Sequence, residues 1–171
     1  MFFFIGISAD SRLKTGYRVK LSFQIGLHEN DKILLDLIKM FFGVGSITKQ
    51  GKNSIQYRVY LVKELKIIIH HFEKYPLIRN KWADWKLFKQ AVELVEQGEH
   101  LTNEGLFKLV AIKASMNRGL SDKLKENFTD ITLISRPEVK NLEIKDLFWI
   151  TGFTDAEGCF LLLLKILKSL N

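Results

Sequence analysis

Cysteine occurs once in the 171 residues, at Cys159, and proline twice, at Pro76 and Pro137. A single cysteine excludes an internal disulfide and a zinc site built on cysteines. Long apolar runs are missing as well. "MFFFIGIS" and Phe160–Leu164 are too short to span a bilayer, and the first lacks the basic region and cleavage site of a signal peptide. What is present is globular in character, with 47% hydrophobic and 26% charged residues. Lys and Arg number 26 against 19 Asp and Glu, a net charge of +7. That surplus fits a polyanion partner, either nucleic acid or an acidic membrane surface.

Residues 2–8 form a short apolar run suited to a buried strand, and Asp10 to Gly16 reads as a polar turn. "YRVKLSFQIG" then alternates, with Tyr17, Val19, Leu21, Phe23 and Ile25 on one side and Arg18, Lys20, Ser22 and Gln24 on the other. Asn30 is placed to cap a helix carrying Ile33, Leu34, Leu37, Ile38 and Phe41. Two further strands, "SITKQ" and "SIQYRVYL", are joined by "GKN". From residue 62 the spacing turns helical. The segments are Leu65–Phe72 up to Pro76, Trp82–Val95, a helix capped by Thr102 with Glu104 at its positive end, and a short one at Asp122–Glu126. "FTDITLISRPEVKNLE" has no sustained period and reads as a linker; Asp146 precedes one more helix from Leu147 to about Glu157. Paired strands alternating with single helices predict an α+β fold, an antiparallel sheet with helices on one face.

The other face of that sheet would carry Arg18, Lys20, Ser22, Gln24, Ser46, Thr48, Gln50, Ser54, Gln56, Arg58 and Tyr60, with no carboxylate among them. A solvated face ordinarily mixes both signs. Arg matches guanine bidentately and Gln matches adenine, so this set suits base edges. Arg12, Lys14, Lys49 and Lys52 flank it for phosphate contacts.

The closing helix raises a second chemistry. In "WITGFTDAEG", Gly152 and Ala156 share one helix face and let a second helix approach closely. Asp155 and Glu157 lie at its C-terminal end, where the dipole disfavours a lone carboxylate and favours a bound cation. Mg2+ accepts carboxylate oxygens and keeps waters for phosphate chemistry. Two such helices side by side would bring two carboxylates to one metal site, as phosphodiester hydrolysis requires.

"LFWITGFTDAEGCF" resembles the signature helix of the LAGLIDADG homing endonucleases, in the form found in fungal mitochondrial introns. "TGYRVKLSFQIGLHENDK", "HFEKYPLIRNKWADWKLFKQA" and "EHLTNEGLFKLVAIKASMNRGLS" also look like that family, so the resemblance covers essentially the whole chain. It implies αββαββα halves whose four-stranded sheet forms a saddle in the DNA major groove. It also implies cleavage of both strands of a specific double-stranded site, with Mg2+ as cofactor and a mitochondrial setting. Glu157 matches the family's metal-binding acid, Asp155 the earlier acid of the signature, and Gly158 the glycine closing the helix beside the metal. Lys81 corresponds to a basic residue near the family's active site. No membrane partner is implied.

"GCFLLLLK" (Gly158–Lys165) lines up with "MFFFIGIS", the trace of an internal repeat. The expected organisation is therefore a first half lacking its signature helix over 1–127 and a linker over 128–145. Residues 146–171 would form the signature helix and first strand of a truncated second half. A second LAGLIDADG helix would come from further sequence or from another chain. Two other roles carried by this family stay open here: a maturase that binds intron RNA during splicing, and a DNA-binding remnant without catalysis.

Overall fold

The computed structural model describes residues 1–78, 80–116, 119–129, 131–138, 148 and 150–152. The chain divides into two compact units, Met1–Lys140 and Asn141–Asn171. In the first, β1 (Phe2–Ala9) and β2 (Tyr17–His28) form a hairpin, followed by a 3-10 turn and α1 (Lys32–Phe42). A second hairpin, β3 (Ser46–Lys49) and β4 (Ser54–Val59), leads into α2 (Val62–Lys74), α3 (Asn80–Glu96), α4 (Asn103–Ser115) and α5 (Asp122–Asn127). The sheet is four-stranded and antiparallel, in the order β1-β2-β4-β3. The expected α+β fold is present.

Strand alternation does the sorting. Phe3, Ile5 and Ile7 of β1, Leu21 and Phe23 of β2, and Ile55, Tyr57 and Val59 of β4 point into the core. They meet Leu65, Ile68 and Ile69 of α2, Trp85, Leu87, Phe88 and Val92 of α3, and Leu106, Leu109 and Val110 of α4. Phe3 is an aromatic hub, its ring 5.2–5.9 Å from those of Phe88, Phe23 and Phe72. Residues 2–8 are only half of the buried strand expected. Phe2 and Phe4 stand on the opposite face, 42% and 40% exposed, because β1 is an edge strand with one face on the core.

α1 departs from its sequence reading. Asn30 does not cap it. His28 Nδ1 accepts from the Asn30 amide and starts a 3-10 turn, and Asp31 precedes the helix without a side-chain bond to it. Leu35 is the helix's fully buried residue, whereas Ile33, Leu34, Leu37 and Phe41 lie exposed. Of the apolar stripe read from the spacing, Ile38 alone packs partly against the core. α4 follows its reading: Thr102 Oγ1 accepts from the Gly105 amide at 3.0 Å.

Tyr57 of β4 pins the loop that leads from α1 into β3. It is wholly buried, its hydroxyl donates to the Val44 carbonyl at 3.0 Å, and burial pushes its phenol up to about 12. The unfolded chain ionises this group near 10.0, so its contribution is intact below that pH and is lost as pH rises through about 12. Tyr57→Phe should remove a loss of stability on the order of 2 kcal/mol across that alkaline window. Urea unfolding at stepped pH measures it, as the difference between the two proteins.

Candidate nucleic-acid interface

The polar positions of the sheet fall into rows across the strands. Phe2, Gln24, Arg58 and Ser46 stand in register across all four strands, and Gln56 and Thr48 follow in the next row beside Gly26. Ser22 pairs with Phe4, Lys20 with Gly6 and Arg18 with Ser8. Period-two alternation places these residues on the face turned away from the core.

Their availability differs. Lys20, Thr48, Gln50, Arg58 and Tyr60 are exposed, while Arg18, Gln24, Ser46 and Ser54 are half-buried. Ser22 and Gln56 are buried, each 6% exposed. A hydrogen-bonded chain explains the burial: Gln56 Nε2 donates to Gln24 Oε1 at 3.0 Å, and Gln24 Nε2 donates to Ser22 Oγ at 2.6 Å. Gln56 and Ser22 therefore act as buttresses that fix the Gln24 amide, and the exposed groups are the ones positioned to meet a ligand.

The turn contributes a carboxylate that strand alternation does not reveal. Asp10 pairs with Arg18 at 2.6 Å, and Arg12 donates to both of its oxygens, Nε to Oδ1 at 2.9 Å and Nη2 to Oδ2 at 3.0 Å. The hydrogen bond from Arg12, helped by Arg18, holds the Asp10 carboxyl down to about 2. Arg18 is thus oriented along the hairpin end, and Lys49 is drawn toward Glu29 at 3.5 Å. Lys20 and Arg58 have no ion-pair partner among the described residues and are the cations that face outward.

A cavity of about 190 Å³ lies at the outer edge of β1, lined by Phe2 to Ile5, Lys81, Asp84, Lys113, Met116 and Gly119. Lys81, in the first turn of α3, donates to the Met1 carbonyl at 2.9 Å and sits 5.1 Å from the centre of the Phe2 ring. Lys113 of α4 repeats the arrangement, donating to the Ile5 carbonyl at 2.8 Å, 5.8 Å from the Phe4 ring. Both lysines cover carbonyls on a strand edge that no other strand pairs among the described residues. Asp84 is 6% exposed, and the Arg136 guanidinium meets its Oδ1 at 2.9 Å.

Known proteins match the chain in sequence and in fold. A family model described as LAGLIDADG endonuclease matches residues 2–92, more than half of the chain. The chain belongs to the LAGLIDADG endonuclease family. A probable intron-encoded endonuclease 3 of Neurospora crassa is 43% identical over 161 residues, which is 92% of this chain and 30% of that protein. The structure of I-SmaMI bound to an uncleaved DNA target with calcium ions superposes with a TM-score of 0.93 at 40% identity, covering 98% of this chain and 58% of that one. LAGLIDADG meganuclease I-CpaMI bound to uncleaved DNA gives a TM-score of 0.86 at 49% identity, over 89% of this chain and 52% of that one. The chain thus spans about half the length of the solved structures and less than a third of the Neurospora protein.

LAGLIDADG endonucleases depend on a divalent metal. The described residues do not fit such an ion by themselves. Among them no three His, Cys, Asp or Glu lie together, and the cavity is lined by Lys81, Lys113 and a single carboxylate, Asp84, which Arg136 meets. Glu157, Asp155, Ala156 and Gly158 lie outside the described residues, and Gly152 is described in helical backbone. Sequence reading placed Lys81 near the site but missed Phe2, Phe4, Lys113, Asp84 and Arg136. The alternation of Phe3, Ile5 and Ile7 with Gly6 and Ser8 was the available sign that Phe2 and Phe4 face outward.

Proposed function

We propose that this chain forms one half of a Mg2+-dependent LAGLIDADG homing endonuclease, gripping double-stranded DNA through the major groove with the polar face of its sheet. The observation that carries this reading is the row Phe2–Gln24–Arg58–Ser46, a ligand-facing line across all four strands that contains no carboxylate. Lys20 and Arg58 are the outward cations, and Arg58 suits bidentate contact with guanine. Residues 1–127 are the DNA-reading half and 128–145 the connection. Residues 146–171 supply the signature helix of the other half, packing through Gly152 and Ala156 against a second such helix from further sequence or another chain. Glu157, with Asp155 and the backbone at Gly158, is assigned to the metal, which would act as a Lewis acid at the phosphate. Lys81 is assigned to the phosphate undergoing cleavage. Expression within the mitochondrion fits the intron-encoded fungal relatives.

The test is cleavage of double-stranded DNA spanning candidate intron-insertion sites, with and without Mg2+, by the chain joined to a second half. Glu157→Gln should abolish product while leaving binding intact. Arg58→Ala should weaken binding to the cognate site by about 1–3 kcal/mol and relax specificity at one base pair. Cleavage that persists in Glu157→Gln sinks the assignment. Intron splicing that survives Glu157→Gln yet fails on loss of Lys20 and Arg58 would identify intron RNA as the partner instead.

A further inference from the structure

We propose that α1 is a self-association surface, pairing antiparallel with α1 of a second copy of this chain about a two-fold axis at Leu37. The pairing is separate from DNA contact, because α1 lies on the core side of the sheet and the polar face is on the other.

The apolar face of α1 is large and open. Ile33, Leu34, Leu37, Met40 and Phe41 are between 51% and 74% exposed, and helical spacing gathers them into an arc of about 120°. Leu35, on the far side of the helix, is the residue that α1 buries in the core, so this face is left over. Leu37, Ile38, Met40 and Phe41 line a shallow groove along it. Beyond Phe41 the apolar surface continues onto α2. The Phe41 ring meets His71 edge-on at 5.4 Å, and His71 meets the exposed Tyr75 at 5.1 Å. At these exposures the five side chains present on the order of 600 Å² of apolar surface, the upper end of the largest patch on an ordinary monomer.

Area, symmetry and charge together choose a second copy as the occupant. Two such faces would bury on the order of 1,200 Å², where stable specific interfaces begin. Ile33 and Phe41 are equally far from Leu37 along the helix, as are Leu34 and Met40. Antiparallel pairing about Leu37 therefore sets Ile33 against Phe41 of the second copy, Leu34 against its Met40, and Leu37 against itself. No residue of the face then meets a polar one. In a chain of net charge +7, Glu29–Phe42 holds Glu29, Asp31 and Asp36 against Lys32 and Lys39, and Lys32 is tied to Asp36 at 2.6 Å. The helix thus lacks the cationic rim that a nucleic acid or an acidic lipid surface calls for, and two copies meet there without the repulsion of their net charge.

Sedimentation velocity of the full chain over a range of concentrations should show a monomer–dimer equilibrium. Leu37→Asp and Leu37→Lys each set like charges together at the axis and should weaken the dimer by about 100-fold. Mixed in equal amounts, the two variants should recover a heterodimer, since Asp then meets Lys. A folding defect could not be repaired by mixing, and both variants should melt with the wild type by circular dichroism. Duplex DNA binding should be the same in Leu37→Asp as in wild type. A wild-type chain that stays monomeric, a dimer that persists in Leu37→Asp, or variants that do not recover on mixing overturns the proposal. In the second case, loss of the dimer in Gly152→Glu would assign it to pairing of signature helices. In the first, binding to phosphatidylserine vesicles that Leu37→Asp abolishes would make the face a lipid contact instead.

Discussion

Gly105→Ala is expected to destabilise the chain by about 3 kcal/mol, although alanine is the better helix former by about 1 kcal/mol. Gly105 lies in the first turn of α4, and its need is space; a Cβ there would be driven into the Glu99 carbonyl group and would reach 2.8 Å from the Glu99 Cβ. Those atoms cannot retreat easily. The Glu99 carbonyl accepts from the Thr102 amide and from Thr102 Oγ1, each at 2.9 Å, and Thr102 Oγ1 in turn accepts from the Gly105 amide. Lys108 holds the Glu99 carboxylate at 3.1 Å. Moving the turn therefore breaks the helix cap together with the turn, and the steric cost outweighs propensity. For a chain of this size the melting temperature should fall by roughly 6–12 °C. Thermal unfolding followed by circular dichroism measures it, and a melting point at or above wild type would show that the turn yields freely.

The contrast between that glycine and the sheet shows what could be read in advance. β2 was legible over Tyr17–Gly26 because alternation has a period of two and one face of the strand meets the core. Thr102 was legible because a cap acts over three residues. α1 was misread because His28, four residues before the helix, sets its starting turn, and helical spacing alone does not say which stripe meets the core. The edge cavity was beyond any local pattern: Lys113 meets Ile5 across 108 residues of sequence, and Arg136 meets Asn80 across 56. Lys81 was found only through the family motif around it, since a lysine in the first turn of a helix is otherwise unremarkable.

Arg136→Gln should have the other large effect, a loss of about 3 kcal/mol with a measurable weakening of DNA binding. The segment expected as a linker is tied down at this residue. Arg136 Nη1 donates to the Ser115 carbonyl at 2.9 Å, Nη2 donates to the Asn80 carbonyl at 3.1 Å, and the Ser115 hydroxyl donates to the Ile134 carbonyl at 2.6 Å. Glutamine is shorter, uncharged, and cannot span Ser115, Asn80 and Asp84 at once. The buried Asp84 carboxylate then loses its guanidinium, and Lys81, three residues earlier on the same helix, is within reach to replace it. A lysine drawn to Asp84 is withdrawn from a phosphate. Two consequences can be pulled apart with Asp84→Asn. In the double variant no carboxylate competes for Lys81, so the slope of log affinity against log salt concentration for duplex binding should return to the wild-type value. The anchoring of residues 131–138 should stay lost, leaving the melting temperature low. Recovery of the slope without recovery of stability would show that Arg136 acts on DNA binding through the charge of Asp84. A slope that stays depressed in the double variant would mean that Arg136 serves only to hold the segment in place.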